Sequence, residues 1–281
     1  MPNTLGDLMA GSTAESPTEL FENEAVRDKF LAHYEDLRGK VRSEVVRRHL
    51  ESIALMGRSA KPRILDVGCG DGRDALWLAC NGFDVIAIDP ASAMLEAARN
   101  KHAEVDPAGS LDFHQGDVDF ALDEFGPGTF DLVLSHGVAM YQDRPADFIT
   151  THLRLLRPLG ILSLLTKNAD ALAFRAVREA TVDEALMLLD DSQSVGHLGV
   201  TTGAQTIQSI ADIGFAAGAT VRSWAGVRAF TDSPTDPVLK ADSAKVIELE
   251  WRAALRDPYR QGAALLHVLL MRGVDLSLLP A

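Results

Sequence analysis

A mostly apolar run, Arg63-Ile64-Leu65-Asp66-Val67, passes directly into Gly68-Cys69-Gly70-Asp71-Gly72, with glycine at every second position. A second such run, Phe83-Asp84-Val85-Ile86-Ala87-Ile88, ends at Asp89. Glycine lets a bound molecule lie against bare backbone, because no Cβ blocks the approach. An acid at the tip of the next strand can accept hydrogen bonds from both hydroxyls of a ribose. Together the two features imply a nucleoside-bearing cofactor. They also imply a fold in which two neighbouring parallel strands present their C-terminal ends to one site.

The rest of the first half repeats that alternation. Helices are expected over Arg73–Asn81, Ser92–His102 and Arg144–Leu156, with a short one over 118–125. Strands are expected over Leu111–His114, Phe130–Ser135 and Ile161–Thr166. Short apolar strands separated by helices mean a parallel sheet covered on both faces. Right-handed crossovers then wind it in both directions, giving an α/β, doubly wound, Rossmann-like sheet. Gly68, Asp89, Asp117 to Asp119 and His136 all fall at strand C-terminal ends, where such sheets bind ligands.

Before the first strand, 19–36 and 38–56 read as two helices, and Lys61-Pro62 breaks the second. After Thr166 the pattern loosens. Residues 169–190 read as helical and 191–202 as polar loop. Helix follows over 203–213, ending at Gly214, and strand over 219–224, continuing through Gly226 to Phe230. A loop over 231–237, a helix over 238–256 and a final strand over Ala264–Met271 complete the chain. The polar, small-residue-rich stretch 1–18 reads as a disordered tail. The expected organisation is one domain over 19–281. Its cofactor half is 60–166, and its acceptor-side half joins 167–281 to 19–56.

Composition narrows the function. Formal net charge is −13, which argues against broad attraction to nucleic acid while leaving room for a local basic face. Two cysteines, Cys69 and Cys80, make no disulfide framework, so a reducing cytoplasm is the expected location. No Cys/His cluster has metal-ligand spacing, so no metal is expected, and no apolar run is long enough to span a membrane.

The glycine spacing separates the cofactors. A dinucleotide site needs G-x-G-x-x-G, whereas here Gly68-x-Gly70-x-Gly72 follows Asp66. Leu65-Asp66-Val67-Gly68-Cys69-Gly70-Asp71-Gly72 resembles the first motif of the class I S-adenosylmethionine-dependent methyltransferases. Ile88-Asp89 resembles the second, Gly116-Asp117-Val118-Asp119 the third and Phe130-Asp131-Leu132-Val133 the fourth. Leu155 to Leu162 resembles the entry to strand five, with Leu159 in place of the first of its two usual glycines. The resemblance implies a seven-stranded sheet with an antiparallel last strand, which Ala264–Met271 fits. Lys167-Asn168-Ala169-Asp170-Ala171-Leu172, Gly226 to Asp232, and Leu249-Glu250 followed by Asp257-Pro258-Tyr259 are similar to one bacterial family. That family esterifies the carboxylate of 5-carboxymethoxyuridine at the tRNA wobble position.

By this resemblance S-adenosylmethionine is held by Arg42, Gly68, Cys69, Asp89, Val118, Asp119 and His136, with Asp66 and Gly70 in the same loop. Arg42 would pair with the methionine carboxylate, since a planar guanidinium fits a carboxylate in two hydrogen bonds. Asp89 would take the ribose hydroxyls; a strand-end cap before Pro90 and Ser92 is the other reading. Val118 would back the adenine, and Asp119 would either reach its amino group or stand in solvent. Asp66 would steady the loop or the cofactor amine. His136 would offer backbone to the methionine end or simply pack as a loop histidine.

A carboxylate acceptor is already ionised at neutral pH and needs no base, only a cation to hold it. Arg228, on the Gly226–Phe230 strand segment, is the first candidate and Lys167 the second. For each the alternative is a cation without an acceptor role, Arg228 as an exposed strand arginine paired to a neighbouring acid. Tyr141 is a candidate stacking platform for a base, or else a lid or core contact. The acceptor itself stays open between tRNA and a small carboxylic acid or hydroxyl. A cofactor-binding regulator without transferase activity is a third reading.

Overall fold

The computed structural model describes residues 17–52, 62–103, 105–179, 181–195 and 201–273. Residues 1–16 of the expected tail and 53–56 of the expected second helix lie outside these.

Five strands form the parallel part of the sheet: β1 (Arg63–Val67), β2 (Asp84–Asp89), β3 (Ser110–Gln115), β4 (Phe130–His136) and β5 (Leu156–Lys167). Two more, β8 (Ala219–Val227) and β9 (Leu265–Arg272), complete it in the order β3-β2-β1-β4-β5-β9-β8. β9 runs antiparallel to both of its neighbours. The expected seven-stranded, doubly wound sheet with an antiparallel last strand is therefore the fold. The chain steps from β1 outward to β3, then returns to place β4 on the other side of β1. Such a switch point opens a crevice at the strand C-termini.

The core lies on both faces, as fully apolar strands require. On one, Ile64, Val85, Leu132, Leu134 and Leu165 pack with Val41 and Val45 of α3 (Leu37–Glu51), Leu78 of α4 (Arg73–Cys80) and Val246 of α11 (Ser243–Ala254). On the other, Leu65, Val133, Leu162 and Leu164 pack with Ile149 and Leu153 of α7 (Pro145–Leu155) and Ile210 of α10 (Ile207–Ala216). α5 (Ser92–His102) packs on β2 and β3, and α6 (Val118–Phe125) follows β3.

Several boundaries differ from expectation, each for a local reason. The helix expected over 19–36 is two, α1 (Pro17–Glu22) and α2 (Glu24–Glu35), because Asn23 caps the second by accepting from Ala25 N and Val26 N. Pro17 and Thr18, expected in the tail, are helical. The 169–190 helix is broken into α8 (Leu172–Glu179) and α9 (Val182–Asp190), the latter capped by Thr181. The 191–202 loop contains a small hairpin of β6 (Gln193–Val195) and β7 (Thr201–Gly203). α10 starts at Ile207, after a Thr206–Ser209 capping box, and continues through Gly214. A Cβ at Gly214 would stand 2.7 Å from Leu270 Cδ2, so this glycine serves helix–sheet packing and not helix termination. The 238–256 helix is shorter, because Asp242 caps α11 at Lys245 N.

Candidate functional site

Gly68, Gly70 and Gly72 all have left-handed backbones, with φ of 71°, 57° and 72°. That conformation is close to free for glycine and costs other residues about 1–2 kcal/mol. Gly68 N and Cys69 N donate to the carbonyl of Ile88, at 2.8 and 3.0 Å, so the loop is pinned across the end of β2. The next residue, Asp89, closes the arrangement. Its Oδ2 accepts from Gly70 N at 2.9 Å and its Oδ1 from Ala91 N at 3.0 Å. The carboxylate thus ties the glycine loop to the start of α5. Burial pushes its pKa up, and the two backbone N–H groups work against that shift.

Beside it opens a cleft of about 540 Å³ whose lining includes Gly68, Gly70, Asp89, Val118, Asp119 and His136. A smaller recess of about 40 Å³ shares Gly68, Gly70 and His136 with the cleft and adds Arg42, Asp66 and Cys69. All nine residues expected at the cofactor therefore meet at two adjoining cavities. Val118 is buried and Asp119 exposed, both in the first turn of α6, whose cap is Asp117 accepting from Phe120 N. The N-terminal helices cover the mouth. Phe21 of α1 meets Tyr141 edge-on, and Glu22 accepts from Ser92 N at 2.6 Å.

Arg42 reaches the recess from α3, with its guanidinium 4.7 Å above the Tyr34 ring and Nη2 donating to the His136 carbonyl at 3.4 Å. Asp66 is buried in the same recess. Burial, with the charges of Asp74 and Asp89, drives its pKa well up, while Arg42 pulls it down.

His136 differs from one of the two expectations for it, that of a packed loop histidine. It ends β4 and is no loop residue, and both ring nitrogens are engaged within the protein. Nδ1 pairs with Asp74 Oδ2 at 2.9 Å and Nε2 with Ser163 Oγ at 2.8 Å. The chain continues from Ser163 Oγ to His267 Nε2 at 2.7 Å, from His267 Nδ1 to His49 Nδ1 at 2.9 Å, and from His49 Nε2 to Ser223 Oγ at 2.8 Å. Burial lowers His49 to about 4 and holds His267 well below its usual value, the latter helped by the charges of His49, His136 and Arg42. Burial alone would raise Asp74; the His136 bond and nearby cations outweigh it and hold the group far below the usual carboxylate range. At its end Asp74 can only accept, so His136 Nδ1 donates to it. Sequence reasoning missed Asp74, Ser163, His267 and His49. They come from four separate elements and share no motif.

Past Gly137 and Tyr141 the site changes character. A recess of about 100 Å³ is lined by Arg38, Arg42, Lys167, Arg175 and Arg228, with His33. It shares Lys167, Arg175 and Arg228 with an outer cavity of about 260 Å³. Tyr141 lines both the large cleft and the inner recess, and burial raises its hydroxyl to about 12.

Arg228 is not on a strand, as expected, but one residue past β8, at φ 63°. It is 8% exposed, not a surface arginine, though it does pair with an acid. Nη2 donates to Asp232 Oδ1 at 2.9 Å, Nη1 lies 3.4 Å from His33 Nε2, and Nε is buried without a partner among the described residues. The unusual backbone is braced by Glu250 of α11, which is fully buried. Its carboxylate accepts from Ala229 N, Phe230 N and Thr231 Oγ1.

Lys167 Nζ donates to Ser194 Oγ at 3.2 Å and to Thr202 Oγ1; burial, then the charge of Arg175, lowers it to about 8. Arg38 Nε donates to the Thr231 carbonyl at 3.2 Å, and burial followed by the charge of Arg228 lowers it to about 10. Arg38 and Arg175 were not anticipated. Arg38 stands one helical turn before Arg42, an i,i+4 signal that was available; nothing local singles out Arg175.

The comparisons agree with this geometry. A family profile described as a methyltransferase domain matches residues 65–164. With the sheet order and the strand-end cleft, this defines the class: the chain is an S-adenosylmethionine-dependent methyltransferase. Over 248 residues it is 26% identical to the tRNA 5-carboxymethoxyuridine methyltransferase of Escherichia coli (strain K12), covering 86% of this chain and 93% of the relative. A 113-residue stretch is 34% identical to the mitochondrial ubiquinone biosynthesis O-methyltransferase of Schizosaccharomyces pombe, covering 40% of each chain. Among solved structures, magnesium protoporphyrin IX methyltransferase from Synechocystis PCC 6803 has the same fold. Its TM-score is 0.61 at 15% identity, over 90% of this chain and 97% of that one.

Proposed function

We propose that the chain methylates a carboxylate oxygen, with residues 19–281 acting as one domain. One observation carries this reading. Arg38, Lys167, Arg175 and Arg228 face a recess that adjoins the cofactor cleft at Gly137 and Tyr141, in a chain of net charge −13. Buried cations are costly unless something anionic offsets them.

The residues of the cleft suit S-adenosylmethionine: a buried cation, Arg42, for a carboxylate; buried acids for an ammonium and a ribose; apolar Val118 for a base. Bound there, the cofactor supplies an electrophilic methyl group on a sulfonium. Arg42 holds its carboxylate, Asp66 and the Gly68–Gly70 backbone the methionine end, Asp89 the ribose, and Val118 and Asp119 the adenine. Arg228 and Lys167 hold the acceptor carboxylate in line, and Tyr141 separates the two cavities. A carboxylate needs no general base. His136 is not offered as one, since both of its nitrogens are bonded inside the protein.

The E. coli relative supports tRNA carrying a wobble carboxymethoxy group as acceptor, its likeness running through both halves of the chain. The acidic balance supports a small carboxylic acid instead. We place the chain in the cytoplasm, consistent with the free Cys69 and Cys80. No helix among the described residues is long and apolar enough to cross a membrane.

Incubation with methyl-labelled S-adenosylmethionine and either total tRNA or a metabolite extract tests this. Label in RNA that mild alkali removes is expected for a wobble-base ester. Label confined to small molecules would eliminate tRNA, and alkali-stable label would eliminate the ester.

A further inference from the structure

Glu250 is fully buried on α11 and lines neither the inner recess nor the outer cavity. Its carboxylate is directed at one short segment. Oε2 accepts from Ala229 N at 2.8 Å, and Oε1 accepts from Phe230 N at 3.0 Å and from Thr231 Oγ1 at 2.6 Å. A carboxylate meets donors at both oxygens and brings none of its own. An amide in its place offers one oxygen, and its NH2 would face a backbone N–H. Desolvating a carboxylate costs stability unless hydrogen bonds offset it, and all three of these go to residues 229–231.

That segment carries two cations of the inner recess. Arg228 directly precedes it, at φ 63°. A residue with a Cβ relaxes out of the left-handed region unless it is held there, and its side chain swings with it. Arg228 is held from both sides. Its carbonyl accepts from Ala264 N at 3.2 Å, and Glu250 fixes the N–H groups that follow it. The segment also sets the direction of both guanidinium groups. Asp232, next in the chain, accepts from Arg228 Nη2 at 2.9 Å, and the Thr231 carbonyl accepts from Arg38 Nε at 3.2 Å. Arg228 and Arg38 both line the inner recess.

We infer that Glu250 is a positioning residue for methyl transfer: it touches neither cofactor nor acceptor, and it holds residues 229–231 so that Arg228 and Arg38 face the acceptor carboxylate. This rests on the carboxylate reading above. Without the clamp Arg228 leaves its left-handed backbone and turns from the recess. Acceptor binding then weakens, while the cofactor cleft, built on 68–91, is untouched. A carboxylate that only tied α11 to the sheet would change stability and leave the acceptor KM alone.

Methyl transfer from labelled S-adenosylmethionine by the full chain decides it, with total tRNA and a metabolite extract as the two acceptor preparations. The preparation that takes alkali-labile label supplies the kinetics. For Glu250→Gln the acceptor KM is expected to rise about tenfold or more, the scale of a charge-assisted hydrogen bond, with kcat within about threefold. S-adenosylhomocysteine affinity, which also reports that the variant is folded, should stay within about twofold, since the cleft is a separate region. Thr231→Val removes one of the three bonds with little change of shape and should raise KM about two- to tenfold. This variant decides the matter where Glu250→Gln does not fold. In an Arg228→Ala background Glu250→Gln should add less than about threefold, because residues that act as a unit are not additive. An unchanged KM in both Glu250→Gln and Thr231→Val would overturn the inference and leave the carboxylate reading standing. So would an undiminished effect of Glu250→Gln in the Arg228→Ala background. Absence of alkali-labile label from both preparations would overturn both.

Discussion

The cofactor cleft and the acceptor recess adjoin, yet they are built on different plans. The cleft is made chiefly of backbone at strand ends. Three left-handed glycines, the N–H groups of Gly68 and Cys69 on the Ile88 carbonyl, and Asp89 spanning Gly70 N and Ala91 N all lie within 68–91. The recess is made of side chains from distant elements: Arg38 on α3, Lys167 at the end of β5, Arg175 on α8 and Arg228 after β8. The first plan suits a cofactor shared by many enzymes, since backbone contacts tolerate drift in side chains. The second allows the acceptor to change while the cleft stays as it is.

If the division is real, damage to one side should spare the other. Asp89→Ala is expected to have the largest effect. It removes the carboxylate and leaves Gly70 N and Ala91 N without their acceptor. S-adenosylhomocysteine affinity, measured by calorimetry, should fall roughly 100-fold or more, at about 1.5–3 kcal/mol per charge-assisted bond lost. Retained affinity would show that this acid only caps the loop.

Arg228→Ala is the reciprocal test. Acceptor KM should rise about 10- to 100-fold on the same scale, with cofactor affinity unchanged. A collapse of cofactor binding would erase the boundary between the two regions.

The two sides also predict different pH behaviour. Lys167 titrates at about 8, so its charge is lost as pH rises through that value. Acceptor KM should climb above pH 8 while cofactor affinity stays flat, and Lys167→Met should remove the inflection. The same shift acts oppositely on folding. Between about 8 and the ordinary value of 10.5 the unfolded chain binds the extra proton, so this group adds stability as pH rises. Denaturant midpoints at pH 7.5 and 9.5, compared between wild type and Lys167→Met, read this contribution.

Ser163→Ala cuts the buried chain between His136 and His267. It strands two ring nitrogens and should cost about 1–3 kcal/mol of stability in urea unfolding. A loosened His136, whose carbonyl receives Arg42, should weaken cofactor binding a few-fold, while acceptor KM stays put. An unaffected Arg42 side would show that the chain only fills the core.

The smallest effect should come from Leu159→Gly. Leu159 holds φ 63° and is 46% exposed, so relief of left-handed strain of about 1–2 kcal/mol is partly cancelled by the entropy glycine loses on folding. A gain of at most about 1 kcal/mol is expected, seen as a slightly raised urea midpoint. A loss would mean that the side chain packs more tightly than its exposure indicates.

How much of this was legible follows the same boundary. Within 63–167 the helix over 92–102 lies as expected, the 118–125 helix is present, and the strands differ mainly at their ends. There most strands are predominantly apolar, and Gly72, Pro90, Asp117 and Pro145 mark where the helices begin. Beyond Lys167 the pattern failed at 191–202, where the hairpin is only three residues a side, and at Gly214, whose role depends on Leu270 of another element. The Leu159 position stood out as a missing glycine, and its positive φ shows why glycine is usual there.

By itself the sequence determined the winding of the sheet, the glycine loop and the acids at the strand ends. Period, turn chemistry and backbone freedom are local properties and are written in consecutive residues. Only the tertiary structure decided that Arg38, Lys167, Arg175 and Arg228 face one recess, and that Asp74, His136, Ser163, His267 and His49 form one buried chain. Charge and hydrogen bonding act through space. Residues far apart in sequence acquire a shared function only when the packing of α3, α8, β5, β8 and β9 brings them within a few ångströms.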